Sequence, residues 1–293
     1  MWLQASRLPS QAYICLPLLL GQLMARSAGV GFSLSVLAWV QLFGLCIQLY
    51  IVYANDVADV EGDALNRTFT LFSGGSRVIP DHLISRDPLR RAAWTMALAS
   101  LACALPVHLH ASRPLLPGLG LAAVLLLQLY SFPPVRLSYR GGGEVLQVLG
   151  TGVVLPLYGY YAQAGALAGL PWLVVAMALP AHAACAVATA IPDAPADTAI
   201  GKHTAAVLLG VPGARGLVVA LSALAVALLG CTPGLRSVGG AWTLGLALPG
   251  ALCCLLLRLA PGAVPGSPRL TGFTATAIGC TVSLNGVLCV IYG

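Results

Sequence analysis

The stretch Asn55-Asp56-Val57-Ala58-Asp59-Val60-Glu61-Gly62-Asp63 follows an apolar run, Gly31 to Ala54, that is long enough to cross a bilayer. Four acidic residues crowd into eight positions at the mouth of that run, in a chain of which only 8% is charged. Successive residues on a helix turn by ~100°, so Asn55, Asp56, Asp59 and Asp63 fall within a sector of roughly 100° and are expected to face one spot. Carboxylates crowded on one face repel each other unless cations sit between them. Oxygen-only ligands favour a hard ion such as Mg²⁺, which keeps some water and shares phosphate oxygens with a substrate. The stretch predicts a magnesium–diphosphate site at a membrane face.

The whole chain agrees with a membrane setting. Its 293 residues are 58% hydrophobic, with a mean hydropathy of +0.89, whereas a soluble domain carries about 25% charged residues. Residues 1–293 read as one all-α polytopic membrane domain, a bundle of about nine transmembrane helices around a central cavity. The expected spans are Gln11–Ala25, Gly31–Ala54, Arg91–Val107, Leu115–Phe132, Val145–Ala164, Pro171–Ile191, Gly216–Cys231, Ala241–Leu259 and Thr271–Ile291. Backbone groups in lipid must be satisfied within their own segment, so these runs read as helices and not strands. The first span is read as a retained helix, because it has no basic start followed by a small-residue cleavage site. The nine cysteines are scattered through apolar segments without metal spacing and read as small buried hydrophobes. The +6 formal charge is dispersed over helix ends, which speaks against a nucleic-acid partner and for contact with membrane lipids.

The connections alternate. Those after the odd-numbered spans carry three basic residues, Arg26, Arg113 and Arg236; the N-terminus and the connections after the even-numbered spans carry the other twelve. Positive-inside asymmetry places the rich side in the cytoplasm, in a plasma-membrane protein. Every acidic residue lies on that same side, although acidic residues hardly influence orientation, so their gathering is read as a working face.

A second acidic pair follows the sixth span, in Ile191-Pro192-Asp193-Ala194-Pro195-Ala196-Asp197-Thr198-Ala199-Ile200-Gly201-Lys202. Asp193 and Asp197 stand four apart, the spacing of one helical face. Pro195 disfavours a helical Ala194, so Asp193 is expected to cap a helix instead of lying within one. Between the acidic stretches lies Tyr130-Ser131-Phe132-Pro133-Pro134-Val135-Arg136-Leu137-Ser138-Tyr139-Arg140-Gly141, followed by Glu144. The Gly141-Gly142-Gly143 run is no nucleotide fingerprint, since no strand precedes it and the spacing differs. His182 reads as a satisfied core or pocket-lining histidine.

These three motifs, N-D-x-x-D-x-x-x-D, Y-x-x-P-P-x-R-x-x-Y-R-G and D-x-x-x-D with Gly-Lys-x-Thr beyond it, resemble in order the UbiA superfamily of intramembrane prenyltransferases. The resemblance covers nearly the whole chain. It implies Mg²⁺-dependent transfer of an isoprenoid chain from a prenyl diphosphate donor to a small aromatic or lipid acceptor. It also implies that Asn55, Asp56, Asp59, Asp63, Asp193 and Asp197 hold the metal, with Asp59, Asp193 and Asp197 in catalytic roles. The diphosphate would be met by Asn55, Arg67, Arg77, Arg136, Arg140 and Lys202, with Arg140 and Lys202 favoured; alternatively these cations mark topology and meet lipid headgroups. The loop Thr70 to Pro80, with Ser73-Gly74-Gly75-Ser76, is similar to the form in relatives that act on 1,4-dihydroxy-2-naphthoate, which points to quinone and menaquinone precursors. Two other readings stay open: a secondary transporter using membrane-face carboxylates, and a membrane Mg²⁺-dependent phosphotransferase.

Overall fold

The computed structural model describes residues 1–232 and 241–293; Arg236 lies outside them. The chain folds as helices α1 (Trp2–Ala5), α2 (Ala12–Ser27), α3 (Leu34–Ala58), α4 (Val60–Leu65), α5 (Arg86–Ala111), α6 (Leu116–Ser131), α7 (Gly143–Leu149) and α8 (Leu155–Ala164), and then α9 (Trp172–Ala190), α10 (Ala194–Ala199), α11 (Ala205–Leu208), α12 (Gly210–Gly230), α13 (Ala241–Leu259) and α14 (Pro268–Tyr292). Among the described residues the nearest approach to sheet is one isolated bridge, Thr70 to Ser73. Among the described residues seven helical stretches are long and apolar enough to cross a membrane; α6 and the Gly245–Leu259 part of α13 are shorter. The protein is an integral membrane protein. Seven of the nine expected spans thus reappear at that length among the described residues, with shifted ends: the third begins at Arg86 and the seventh at Gly210, because polar and glycine residues there still close helical turns.

Local sequence sets the helix starts. Ser33 accepts a hydrogen bond from the Val36 amide (3.4 Å) before α3, and Ser267 accepts one from the Leu270 amide (3.2 Å) before α14, whose first residue is Pro268. With lipid outside, helices associate through close packing rather than through a difference in hydrophobicity. At Gly21 of α2 and Gly159 of α8 each backbone lies against the other, and a Cβ at either would collide with the partner's carbonyl. Beside them Phe43 and Tyr158 stack with ring centroids 4.0 Å apart. A second core, with Phe273, Leu270 and Ile191 buried, joins the latter half of the chain.

The N-terminal segment and the connections after α3, α6, α9 and α13 gather at one end. Gln4 donates to the Ser76 carbonyl (2.8 Å), the Thr68 hydroxyl to the Pro192 carbonyl (2.6 Å), and the His203 amide to the Ser138 carbonyl (3.2 Å). Arg67 and Gly266 share the wall of a shallow depression nearby. This end carries the acidic stretches.

Candidate active site

A cavity of about 1120 Å³ opens at that end and runs down between α2, α3, α6, α7, α9 and α14. Its deeper wall is mostly aliphatic, with Ile47, Leu127, Leu155 and Val282 among its residues. All the charged residues that line it belong to the mouth: Asp59, Asp63, Asp81, Glu144, Asp193, Asp197, Arg7, Arg77 and Lys202.

The first acidic stretch does not continue as one helix. α3 ends at Ala58, Asp59 sits in the break with φ −100° and ψ 14°, and α4 starts at Val60. Asn55 and Asp59 come from the end of α3 and Asp63 from the first turn of α4, and all three line the cavity. Asp56 does not join them. It is 3% exposed and turned toward the N-terminal segment, where the Arg7 guanidinium pairs with it and the Ser76 hydroxyl and amide donate to it. The expectation that four side chains face one spot is thus corrected to three. One residue's rotation from Asn55 points Asp56 at a different neighbour.

The second stretch forms the opposite side. Asp193 occupies the N-cap position of α10, as the proline pattern predicts, but its carboxylate does not bond its own helix. Instead it accepts from the Asn66 side-chain amide (2.7 Å) and the Gly74 backbone amide (3.0 Å), 127 and 119 positions away in the chain. Asp197 lies in the first turn of α10. Lys202 reaches back across the mouth, with Nζ 2.8 Å from Asp59 and 3.7 Å from Asp197. Asn55 donates to the same Asp59 carboxylate at 2.9 Å. Gly75, with φ +71°, packs its Cα against the Asp63 carboxylate, where any Cβ would collide.

Electrostatics follow from burial and crowding. Burial, then the charges of Asp59 and Asp56, push the Asp63 carboxyl up to about 7. Burial raises Asp193 to about 6 against the pull of its hydrogen bonds. Burial raises Asp197 to about 7, opposed by Lys202 and reinforced by Asp193 and Asp59. Burial alone would lower the Lys202 ammonium, but the Asp59 carboxylate, with Asp197, more than offsets this and leaves it raised. The mouth holds more negative charge than its own cations neutralise.

That donor set fits a hard divalent ion. The free carboxylates are oxygen ligands, half- to fully buried, and short of positive charge. Among the described residues, no three His, Cys, Asp or Glu side chains converge as a complete metal site. Ligand oxygens, such as those of a phosphate, would have to complete the shell.

The remaining expected cations divide. Arg77 lines the mouth, donates to the Asp63 carbonyl (2.9 Å), pairs with Asp81 (3.0 Å) and stacks on Phe69 (4.3 Å). Arg67, Arg136 and Arg140 lie outside the cavity wall. Arg67 is exposed on the shallow depression. Arg136 stacks on Tyr139 at 3.6 Å, and Arg140 is exposed and donates to the Pro134 carbonyl (3.0 Å). Three partners escape a reading of the sequence: Arg7, Asn66 and Ser76. Asn66 stands seven positions after Asp59, about two helical turns on, which is a usable signal; Arg7 and Ser76 carry none beyond being polar. His182 is buried beside Tyr13, with ring centroids 5.6 Å apart, and is 3.5 Å from Asn285.

The description "UbiA prenyltransferase family" belongs to the family model that matches residues 14–263. Among solved structures, the apo form of a UbiA homolog from Aeropyrum pernix K1 is similar, with 19% identity and a TM-score of 0.67 over 92% of this chain and 96% of that one. A UbiA homolog from Archaeoglobus fulgidus bound to GPP and Mg²⁺ shows 19% identity and a TM-score of 0.67 over 98% and 99%. Digeranylgeranylglyceryl phosphate synthase gives 16% and 0.62 over 99% and 97%. Among curated protein sequences no match is found.

Proposed function

The chain belongs to the UbiA prenyltransferase family and is an intramembrane prenyltransferase, and from that premise we propose that it moves an isoprenoid chain from a prenyl diphosphate to an aromatic, quinone-precursor acceptor. The observation that carries the reading is the meeting of Asp59, Asp63, Asp193, Asp197 and Lys202 at the mouth of one cavity whose deeper wall is apolar. A diphosphate suits the charged mouth, and a hydrocarbon chain suits the wall below it. The structural relatives from Archaeoglobus fulgidus bound to GPP or DMAPP with Mg²⁺ support the choice of donor and ion. The transporter and phosphotransferase readings lose their ground with the family.

Asp59, Asp63, Asp193 and Asp197, with Asn55, would hold Mg²⁺ on the diphosphate, and the ion would supply charge stabilisation to the departing oxygens. Lys202 and Arg77 present further positive charge to that leaving group. The C1–O bond breaks with its electron pair going to diphosphate. An electron-rich acceptor carbon then forms a bond to C1 and loses its proton to a carboxylate of the mouth, Asp193 or Asp197. The apolar wall keeps water from the developing allylic cation, and in so dry a setting charge stabilisation is the main catalytic contribution. The distribution of basic residues supports a mouth on the cytoplasmic side of the plasma membrane.

The test is product analysis. Purified protein in detergent, offered prenyl diphosphates of several lengths and a panel of hydroxylated aromatic acceptors, should yield prenylated arenes by mass spectrometry, with Mg²⁺ required and EDTA inhibitory. Prenylation confined to non-aromatic lipid alcohols would overturn the acceptor class; no transfer from any donor would overturn the whole reading.

A further inference from the structure

Below the charged mouth, one side of the cavity is not aliphatic. α7 begins under Glu144, whose carboxylate accepts from the Ala205 amide (2.6 Å) and so fixes the top of the helix. Gln147 and Thr151 follow on the same wall, about 4.5 and 10 Å further down the axis. Between α7 and α8 the backbone takes a wide π-helical turn, Gly150–Val154, a feature frequent at functional sites. Close packing locks that turn: a Cβ on Gly152 would stand 2.7 Å from Leu179 and 3.4 Å from His182. The Thr151 hydroxyl donates to the Gln147 carbonyl (2.9 Å), which leaves its lone pairs for the cavity. Tyr13, from α2, shares that wall, and its hydroxyl donates to the His182 carbonyl (3.4 Å). The Gln147 side-chain amide forms no hydrogen bond among the described residues.

An isoprenoid chain offers nothing to these groups. Thr151 and Tyr13 already have partners for their protons, but the Gln147 amide has none, and an unpaired amide facing hydrocarbon is a desolvation liability that a wholly hydrocarbon occupant would select against. No charged residue lines this part of the wall among the described residues. We propose that Tyr13, Gln147 and Thr151 form the acceptor subsite and select a ring carrying neutral hydroxyl or carbonyl groups. This inference rests on the prenyl-transfer reading and names its second substrate class. Gln147, which can both donate and accept, takes a hydroxyl or a carbonyl; Tyr13 and Thr151, whose protons go to the His182 and Gln147 carbonyls, accept from a hydroxyl on the far side of the ring. A subsite built on such bonds rejects an analogue that cannot make them far better than an apolar pocket rejects an extra group.

Equilibrium binding tests this apart from catalysis. Full-length protein in nanodiscs, with Mg²⁺ and the unreactive donor geranyl thiolodiphosphate, is titrated calorimetrically with 1,4-naphthalenediol and with its dimethyl ether. The wild type should bind the diol at least about tenfold more tightly than the ether. In Gln147→Leu and Thr151→Val the two Kd values should converge, while geranyl thiolodiphosphate binds as before, which also reports an intact fold. Tyr13→Phe, which removes a single oxygen, should narrow the ratio and serves if a larger change unfolds the protein. Equal binding of diol and ether by the wild type, or an unchanged ratio in the variants, overturns the subsite. Failure of the wild type to bind geranyl thiolodiphosphate with Mg²⁺ would instead strike the prenyl-transfer reading itself.

Discussion

After α3 and again after α9 the chain breaks, sets an aspartate at the break, and runs on as a six-residue helix with a second aspartate four positions later. Asp59 thus corresponds to Asp193, and Asp63 to Asp197. The partners differ. Asp59 receives a cation, Lys202, from the second stretch; Asp193 receives two neutral donors, Asn66 and the Gly74 amide, from the first. Each half closes the other's break, so neither forms its half of the mouth alone. The difference teaches where charge is left over. Asp59 is neutralised in place, whereas Asp63, Asp193 and Asp197 stay crowded and raised, and a cation arriving with a diphosphate meets its greatest need there.

The largest expected effect removes the corresponding aspartates. Asp59→Asn and Asp193→Asn should each cut turnover by at least about 10²–10³-fold. The double variant should be little worse, because groups acting as one unit are non-additive. Losses that multiply would split the mouth into two independent sites. Stability should separate the pair. Asn at 193 keeps an oxygen for Asn66 and Gly74, so its unfolding midpoint in detergent should stay near wild type. Asn at 59 leaves Lys202, 7% exposed, with only the more distant Asp197, and should destabilise by about 1–3 kcal/mol. Equal midpoints would remove the asymmetry.

Next come the two cross-braces themselves. Lys202→Ala withdraws a charged contact and should weaken the donor by roughly 10- to 150-fold, about 1.5–3 kcal/mol. Asn66→Ala withdraws a neutral one, for about 0.5–1.5 kcal/mol, or roughly 2- to 10-fold. Donor titrations at saturating acceptor check the order; a reversal would mean that the neutral brace, and not the cation, organises the diphosphate end.

Two glycines sharpen the comparison at lower amplitude. Gly75 lies against Asp63, while Gly201, with φ +73°, has open space where a Cβ would go. Gly201→Ala should cost only the left-handed backbone strain of about 1–2 kcal/mol in stability, with Mg²⁺ dependence unchanged. Gly75→Ala bears the same strain and also displaces a carboxylate, so it should raise the Mg²⁺ concentration needed for half-maximal activity. Matching Mg²⁺ curves for the two variants would show that Asp63 is not placed by its glycine neighbour.

Much of this was legible without coordinates, for physical reasons. A bilayer demands apolar runs of span length and forces them into helices, so the bundle follows from hydropathy alone. The D-x-x-x-D spacing appears at both breaks, and Pro195 marks Asp193 as a cap position. Helical periodicity gives a direction only while the helix lasts. α3 ends at Ala58, and no period tells Asp56 that Arg7, 49 positions earlier, lies on its side. Asn66, Gly74 and Ser76 sit in a connection without period, and their partners are set by how two distant halves meet. The arginines after α6 share the same limit: their charge and spacing are visible, their direction is not.

The smallest expected effect concerns one of those arginines. Arg140 stands where the family resemblance implies a diphosphate contact, and on the same strip of chain as Tyr139, which lies 5.8 Å below the Lys202 ammonium. Yet its guanidinium is exposed and donates to the Pro134 carbonyl at 3.0 Å, outside the cavity wall. An exposed cation facing water and lipid headgroups contributes little to a ligand it does not touch, since solvent screens it. Arg140→Ala should therefore change the donor KM by less than about threefold, well under the effect of Lys202→Ala. Arg77→Ala offers the contrast. Arg77 lines the mouth and donates to the Asp63 carbonyl, so its removal loosens α4 as well as subtracting charge. It should exceed Arg140→Ala by about tenfold in donor KM. Donor kinetics for the three alanine variants at one ionic strength decide the matter. An Arg140→Ala effect as large as that of Lys202→Ala would require the connection after α6 to swing into the mouth when diphosphate binds, and the two acidic stretches would then share their site with a third segment.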